Sequence, residues 1–227
     1  MKKRLKINGL IMFLAVVLIL AFPKIFFRRP QALFWDGFAN ICGIALILLG
    51  QIFRASGRGY KSANSQNSRS LIERGPYTLV RNPMYLGILL TGLGVVLALF
   101  NFWALVIFLC VFIVRYIFLI FQEEKKLVAV FGQAYQDYQQ RVPRLIPAWG
   151  ALLKKDIAEY LPLKTLWLKK EIGSILAVLF VVFLIEGWND ALSMGLSMYL
   201  RKTVLTLSVI IVFSGLIIYL LKKTGER

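Results

Sequence analysis

Residues 83–121, PMYLGILLTGLGVVLALFNFWALVIFLCVFIVRYIFLIF, carry a single charged side chain, Arg115. About 20 apolar residues cross the hydrocarbon core of a bilayer, so this stretch holds two crossings, Pro83 to Phe100 and Phe102 to Phe121. Only Asn101 separates them, and so short a join predicts an antiparallel helical hairpin. Outward from it lie four more candidate spans: Ile7 to Phe27, Ala32 to Phe53, Ile172 to Trp188 and Thr203 to Leu221. The first follows the basic start MKKRLK, as a signal peptide would. No small-x-small cleavage site follows, so it reads as a retained span. The sequence thus predicts an all-α, polytopic transmembrane bundle of about six spans around a central hairpin. Its expected divisions are an N-terminal segment 1–31, a membrane core 32–149 and a C-terminal segment 150–227.

Composition agrees with a bilayer environment. Of 227 residues, 59% are hydrophobic, and the mean hydropathy is +0.70, far above a soluble domain. Lys and Arg number 28 against 11 Asp and Glu, and they concentrate between the apolar runs, which excludes a nucleic-acid binder. Residues 54–81 hold six basic side chains and one acid; residues 122–171 hold nine and six. The excess of positive charge places both segments in the cytoplasm. Six spans then put both termini there too, with EGWND (186–190) as an external turn, and a bacterial inner membrane is expected. Lys24, Arg28, Arg29, Arg201 and Lys202 oppose this orientation. There is no histidine, which removes the commonest metal ligand and neutral-pH base. Cys42 and Cys110 sit inside apolar runs without CxxC spacing and read as core residues, so no metal site is expected.

Three polar features flank the hairpin. The first is GPYTLVRNPMYLG (75–87). Asn82-Pro83 reads as a helix start, with Asn at the N-cap and Pro in the first turn. A helix N-terminus beside Arg81 suits a carboxylate or phosphate; taken alone, the stretch reads more simply as an interfacial Arg–Tyr anchor. The second is Glu123-Glu124, where the fourth span ends. Two carboxylates at a helix C-terminus oppose the macrodipole. They read either as a solvated charge cluster or as acceptors for ribose hydroxyls. The third is FGQAYQDYQQRVPRLIP (131–147), with Phe131, Tyr135 and Tyr138 at helical spacing on one face. An aromatic lid over a ligand and a helix lying on headgroups both fit it.

The first and third segments, with the hairpin between them, resemble the isoprenylcysteine carboxyl methyltransferase and phospholipid methyltransferase family, integral membrane enzymes that use S-adenosylmethionine. The family pattern, G-[PV]-Y…R-[HN]-P-x-Y-x-G and then E-E-x-x-L…F-G-x-x-Y-x-x-Y, occurs here in order, within about Ala32 to Trp149. The resemblance implies that Tyr77, Asn82, Pro83, Met84 and Tyr85 line the cofactor pocket, with Ser70, Leu71 and Ile72 contributing from the preceding loop. Arg81 belongs to the same motif, and Glu123 and Glu124 to the nucleoside end. Asn82 stands where many members have histidine, and Leu119 where many carry an arginine that meets the substrate. Arg115, one turn deeper, is a candidate substitute.

An ionisable residue within a span points to function, so Arg115 is a candidate catalytic residue, and Arg81 is a second one through the motif that the resemblance supplies. The implied partners are the bilayer and a lipophilic, isoprenoid- or lipid-like acceptor. Two other readings remain at this stage: an NADPH-dependent membrane reductase of the steroid-reductase type, and a non-catalytic scaffold.

Overall fold

The computed structural model describes residues 17, 21–27, 33–65, 70–147, 156–193 and 196–225. Among these the fold is all-helical, with one isolated bridge between Phe27 and Phe100. The long elements are α1 (Leu33–Asn64), α2 (Pro83–Leu99), α3 (Phe102–Phe131), α4 (Gln133–Arg141), α5 (Thr165–Ser193) and α6 (Leu196–Gly225). A 3-10 turn (Gly75–Thr78) precedes α2, and a helical turn (Ile157–Tyr160) precedes α5. Among the described residues, three stretches are long and apolar enough to cross a membrane, Gly37–Asn64, Phe102–Phe131 and Thr203–Gly225; Pro83–Leu99 is a shorter apolar helix. The expected first span lies largely outside the described residues.

α1 and α2 form the heart of the molecule. They run antiparallel along a face of small residues: Gly43, Gly50 and Gly57 recur every seven positions on α1, opposite Gly94, Gly87 and Pro83. A Cβ on Gly50 would lie 2.5 Å from Thr91 Oγ1 and 2.6 Å from the Gly87 carbonyl. Lipid tails are as apolar as leucine, so membrane helices associate through close packing of this kind rather than through hydrophobic exclusion. α5 and α6 also pack on α1, and α5 reaches α2 as well, where Val182 joins Ile47, Ala98 and Leu99. The Asn101 turn is tied down from outside: Asn101 Nδ2 donates to the Ile25 and Phe27 carbonyls, both at 2.9 Å, and Phe100 stacks on Phe27.

Several expected boundaries are corrected. α1 does not end at Phe53 but continues eleven residues to Asn64. Glu171 of α5 rewards that extension by pairing with Arg54 and Arg58. The EGWND stretch is helical, not an external turn, because α5 runs on to Ser193; buried Glu186 accepts a hydrogen bond from Asn40 of α1. α3 does not stop at Phe121. It passes through a π-helical turn at Ile113–Ile117 and reaches Phe131, so Glu123 and Glu124 sit mid-helix and the macrodipole objection to them vanishes. Phe131 shares no helix with Tyr135 and Tyr138, since Gly132, with φ +55°, breaks the rod between them.

Candidate functional site

The hairpin joined at Asn101 brings the start of α2 beside the acidic pair Glu123 and Glu124 of α3. There the hydroxyl of Tyr85, in the first turn of α2, donates to Glu123 Oε1 at 2.8 Å. Tyr85 also tilts against Tyr116 (5.6 Å between ring centroids), which stacks on Phe112 at 4.5 Å. These rings, one per turn on α3, hold the two helices in register below the carboxylate.

Glu124, one residue on, has a different environment. It is 4% exposed and clamped by two arginines. Arg81 Nη2 lies 3.1 Å from Oε1, and Arg144 Nη2 lies 2.9 Å from Oε2. Arg144 Nε adds bonds of 3.2 and 3.1 Å, and its guanidinium covers the Phe121 ring at 4.3 Å. A buried carboxylate persists in its charged form only when paired this closely. The clamp also closes the backbone: Arg81 Nη1 donates to the Gln139 carbonyl (2.8 Å), the Arg81 amide to the Pro143 carbonyl (2.9 Å), and Asn82 Nδ2 to the Arg144 carbonyl (3.1 Å). Thus the strap 142–147, after α4, lies against the entrance to α2.

Asn82 does occupy the N-cap position of α2, with Pro83 in the first turn, but its side chain makes no cap bond; the amide is spent on Arg144 instead. Arg81 is not a free anion receptor at its Nη atoms, because Glu124 and Gln139 take them. Its Nε is buried and has no partner among the described residues.

Tyr77, Tyr135 and Tyr138 form the floor. All three are buried, so Tyr135 and Tyr138 neither cover a ligand from outside nor lie on headgroups. Tyr138 donates to the Tyr77 carbonyl (2.7 Å) and Tyr77 to the Gly57 carbonyl (3.3 Å). Burial, with Glu124 adding to it, pushes the Tyr135 hydroxyl up to about 12. Burial first and a neighbouring Glu123 second raise Tyr77, and burial first with Tyr135 second raises Tyr138. None of these phenols can serve as a base near neutrality.

The structure does not gather every expected residue here. Pro83 and Met84 pack beside Gly57. Ser70, Leu71 and Ile72 line a separate cavity of about 460 Å³ with Tyr60, Asn64 and Arg74, on whose wall none of Arg81, Tyr85 and Glu123 appears. Arg115 lies in the π turn, half-buried, and its guanidinium makes no hydrogen bond or ion pair with any described residue. It pairs with neither Glu123 nor Glu124. Arg144 is the residue sequence reasoning missed. Its only local signal is a place between Pro143 and Pro147, which reads as a helix stop.

The apolar helices indicate an integral membrane protein, with a polar, charge-clamped foot beneath the hairpin. Comparison with known proteins agrees. Residues 38–134 match the family model described as phospholipid methyltransferase. The protein-S-isoprenylcysteine O-methyltransferase of Schizosaccharomyces pombe is 30% identical over 112 residues, covering 46% of this chain and 48% of that protein. The Arabidopsis thaliana B form is 30% identical over 113 residues (46% and 57%), and the Saccharomyces cerevisiae enzyme 30% over 116 residues (48% and 48%). The matches thus span about half the length of these relatives. The resemblance to the isoprenylcysteine and phospholipid methyltransferases is thereby shown for the central stretch, which includes Arg81, Tyr85, Glu123 and Glu124. No solved structure matches.

Proposed function

We propose that the chain is a membrane methyltransferase that uses S-adenosylmethionine to methylate a lipophilic acceptor bearing a carboxylate. The observation that carries this reading is the Tyr85–Glu123 bond, which ties the two motif segments together inside the stretch matched by the family model. The residues at the foot fit the cofactor. Glu123 is an acceptor-only group suited to ribose hydroxyls, and the orphaned Nε–H of Arg81 suits the carboxylate of the cofactor's amino-acid tail. Asn82, Pro83, Met84 and Tyr85, with Tyr77 below, complete the pocket in this assignment, and Ser70 to Ile72, on their separate cavity, have no part in it. Glu124 is assigned to hold Arg81 and Arg144 in place.

When bound, S-adenosylmethionine supplies an electrophilic methyl group on a sulfonium. The chain's own task is to align the acceptor with it and exclude water. With no histidine and three protonated tyrosines in the floor, an acceptor that is already ionised makes the fewest demands. Arg115, the partnerless cation two turns below Glu123, would pair that carboxylate within the apolar layer. The acceptor would enter sideways from the lipid, the cofactor from the cytoplasm. The reductase reading finds no support among the matches.

Incubation of purified protein with methyl-labelled S-adenosylmethionine and an S-farnesylcysteine acceptor tests the reading. Label is expected in the organic phase, released by mild alkali as an ester would be, and lost with Glu123→Ala. Absence of transfer with this acceptor and with a membrane-lipid extract would favour the scaffold.

A further inference from the structure

A second polar cavity, of about 620 Å³, opens where the last turn of α1 meets the C-terminal helices. Its wall includes Tyr60 and Asn64 from α1, Arg74 before the 3-10 turn, Glu159, and Lys164 and Trp167 at the start of α5. Half of that wall lies beyond residue 134, outside the stretch matched by the methyltransferase family model.

The cavity is built. Gly59 lets Trp167 lie directly on α1: a Cβ there would fall 2.2 Å from the indole. Tyr60 meets the same indole edge-on at 6.5 Å between centroids, and Lys164 Nζ sits 5.5 Å over it. Gly75, with φ +62°, turns the chain against Tyr60, and Arg74 beside it belongs to the same wall. The Arg74 guanidinium has no hydrogen bond or ion pair with any described residue, its backbone carbonyl alone accepting from Tyr77 N–H at 3.4 Å. Two cations therefore face a space carrying one carboxylate, Glu159, beside aromatic walls. The cavity lies at the same end of the bundle as Pro83, which packs beside Gly57 one turn from Tyr60.

We propose that this cavity binds a phosphate group between Arg74 and Lys164, with Tyr60 and Trp167 packing the adjoining apolar part of the ligand. A lysine takes phosphate as a point charge and an arginine as a planar fork. The aromatic pair favours an anionic phospholipid over free phosphate, because only the former brings apolar surface for the rings to cover.

Native mass spectrometry of the full chain released from detergent tests this, with phosphatidylglycerol, phosphatidylcholine and inorganic phosphate as probes. One phosphatidylglycerol is expected to remain bound, at least tenfold more tightly than phosphatidylcholine. The double variant Arg74→Gln/Lys164→Gln should lose it, and Lys164→Arg should retain it. Retention of inorganic phosphate alone, with the same dependence on the two cations, would support the site and assign it a soluble ligand. Equal binding of both lipids, or retention unchanged in a double variant whose melting temperature is preserved, would overturn the proposal.

Discussion

Two buried glutamates, each held by a pair of arginines, sit near one end of the molecule, yet they differ in what surrounds them. Glu171 is 2% exposed and is met by Arg54 at 3.6 Å and Arg58 at 2.5 Å. Glu124 is met by Arg81 and Arg144 at 3.1 and 2.9 Å. At Glu171 the arginines reach solvent, Arg58 with 58% of its side chain exposed. At Glu124, Arg81 is 7% exposed, and Glu123 stands next to the clamp, held by a tyrosine hydroxyl rather than by a cation. The first arrangement fastens α5 to α1. The second fastens a strap over the hairpin and leaves one carboxylate and one guanidinium N–H with capacity for a ligand. An ion pair by itself therefore says little about function; the uncommitted groups beside it say more.

Removing the two carboxylates should rank the clamps. Glu124→Ala leaves a buried Arg81 uncompensated and should cost about 3–5 kcal/mol of stability, read as a large fall in unfolding midpoint in detergent. Glu171→Ala should cost less, about 1.5–3 kcal/mol, because water can reach Arg58; the reverse ranking would break the comparison. Gly50→Ala sharpens it by prying apart α1 and α2, which carry Arg54 and follow Arg81, with an expected loss of about 1–3 kcal/mol. Tyr85→Phe frees Glu123 without touching either clamp. It should weaken S-adenosylmethionine binding only about 2- to 10-fold, the worth of one hydrogen bond, with the melting temperature unchanged. The smallest effect concerns pH. Folding holds Tyr135 protonated up to about 12, above its unfolded value near 10. Stability from this group is thus fully present below about pH 10 and lost as pH rises through 12, so thermal melts from pH 7 to 9 should coincide as far as this group is concerned.

The hairpin was legible because it depends on length and polarity alone: two apolar runs and one asparagine. The meeting of Tyr85 with Glu123 followed, since a hairpin brings its feet together. What escaped depends on partners far away in sequence. The polar end of α1, with Gly57 and Gly59, looks like a loop until Glu171 supplies a partner for Arg54 and Arg58. Glu123 and Glu124 look terminal because apolarity ends at Phe121, whereas the helix ends at Gly132. Arg144 was invisible among 28 basic residues, because nothing local marks which of them turns inward to a buried carboxylate. The heptad of glycines on α1 was present in the sequence, and its spacing could have identified α2 as the neighbour.

The most direct measurement is a binding titration of the purified chain in detergent with S-adenosylmethionine, and separately with NADPH, for wild type and Glu123→Gln. Saturable S-adenosylmethionine binding is expected, weakened about 10- to 100-fold by the variant as a charge-assisted hydrogen bond is lost, with its melting temperature preserved. Binding of NADPH alone, or equal S-adenosylmethionine affinity in both proteins, would contradict the assignment of the hairpin foot as the cofactor site.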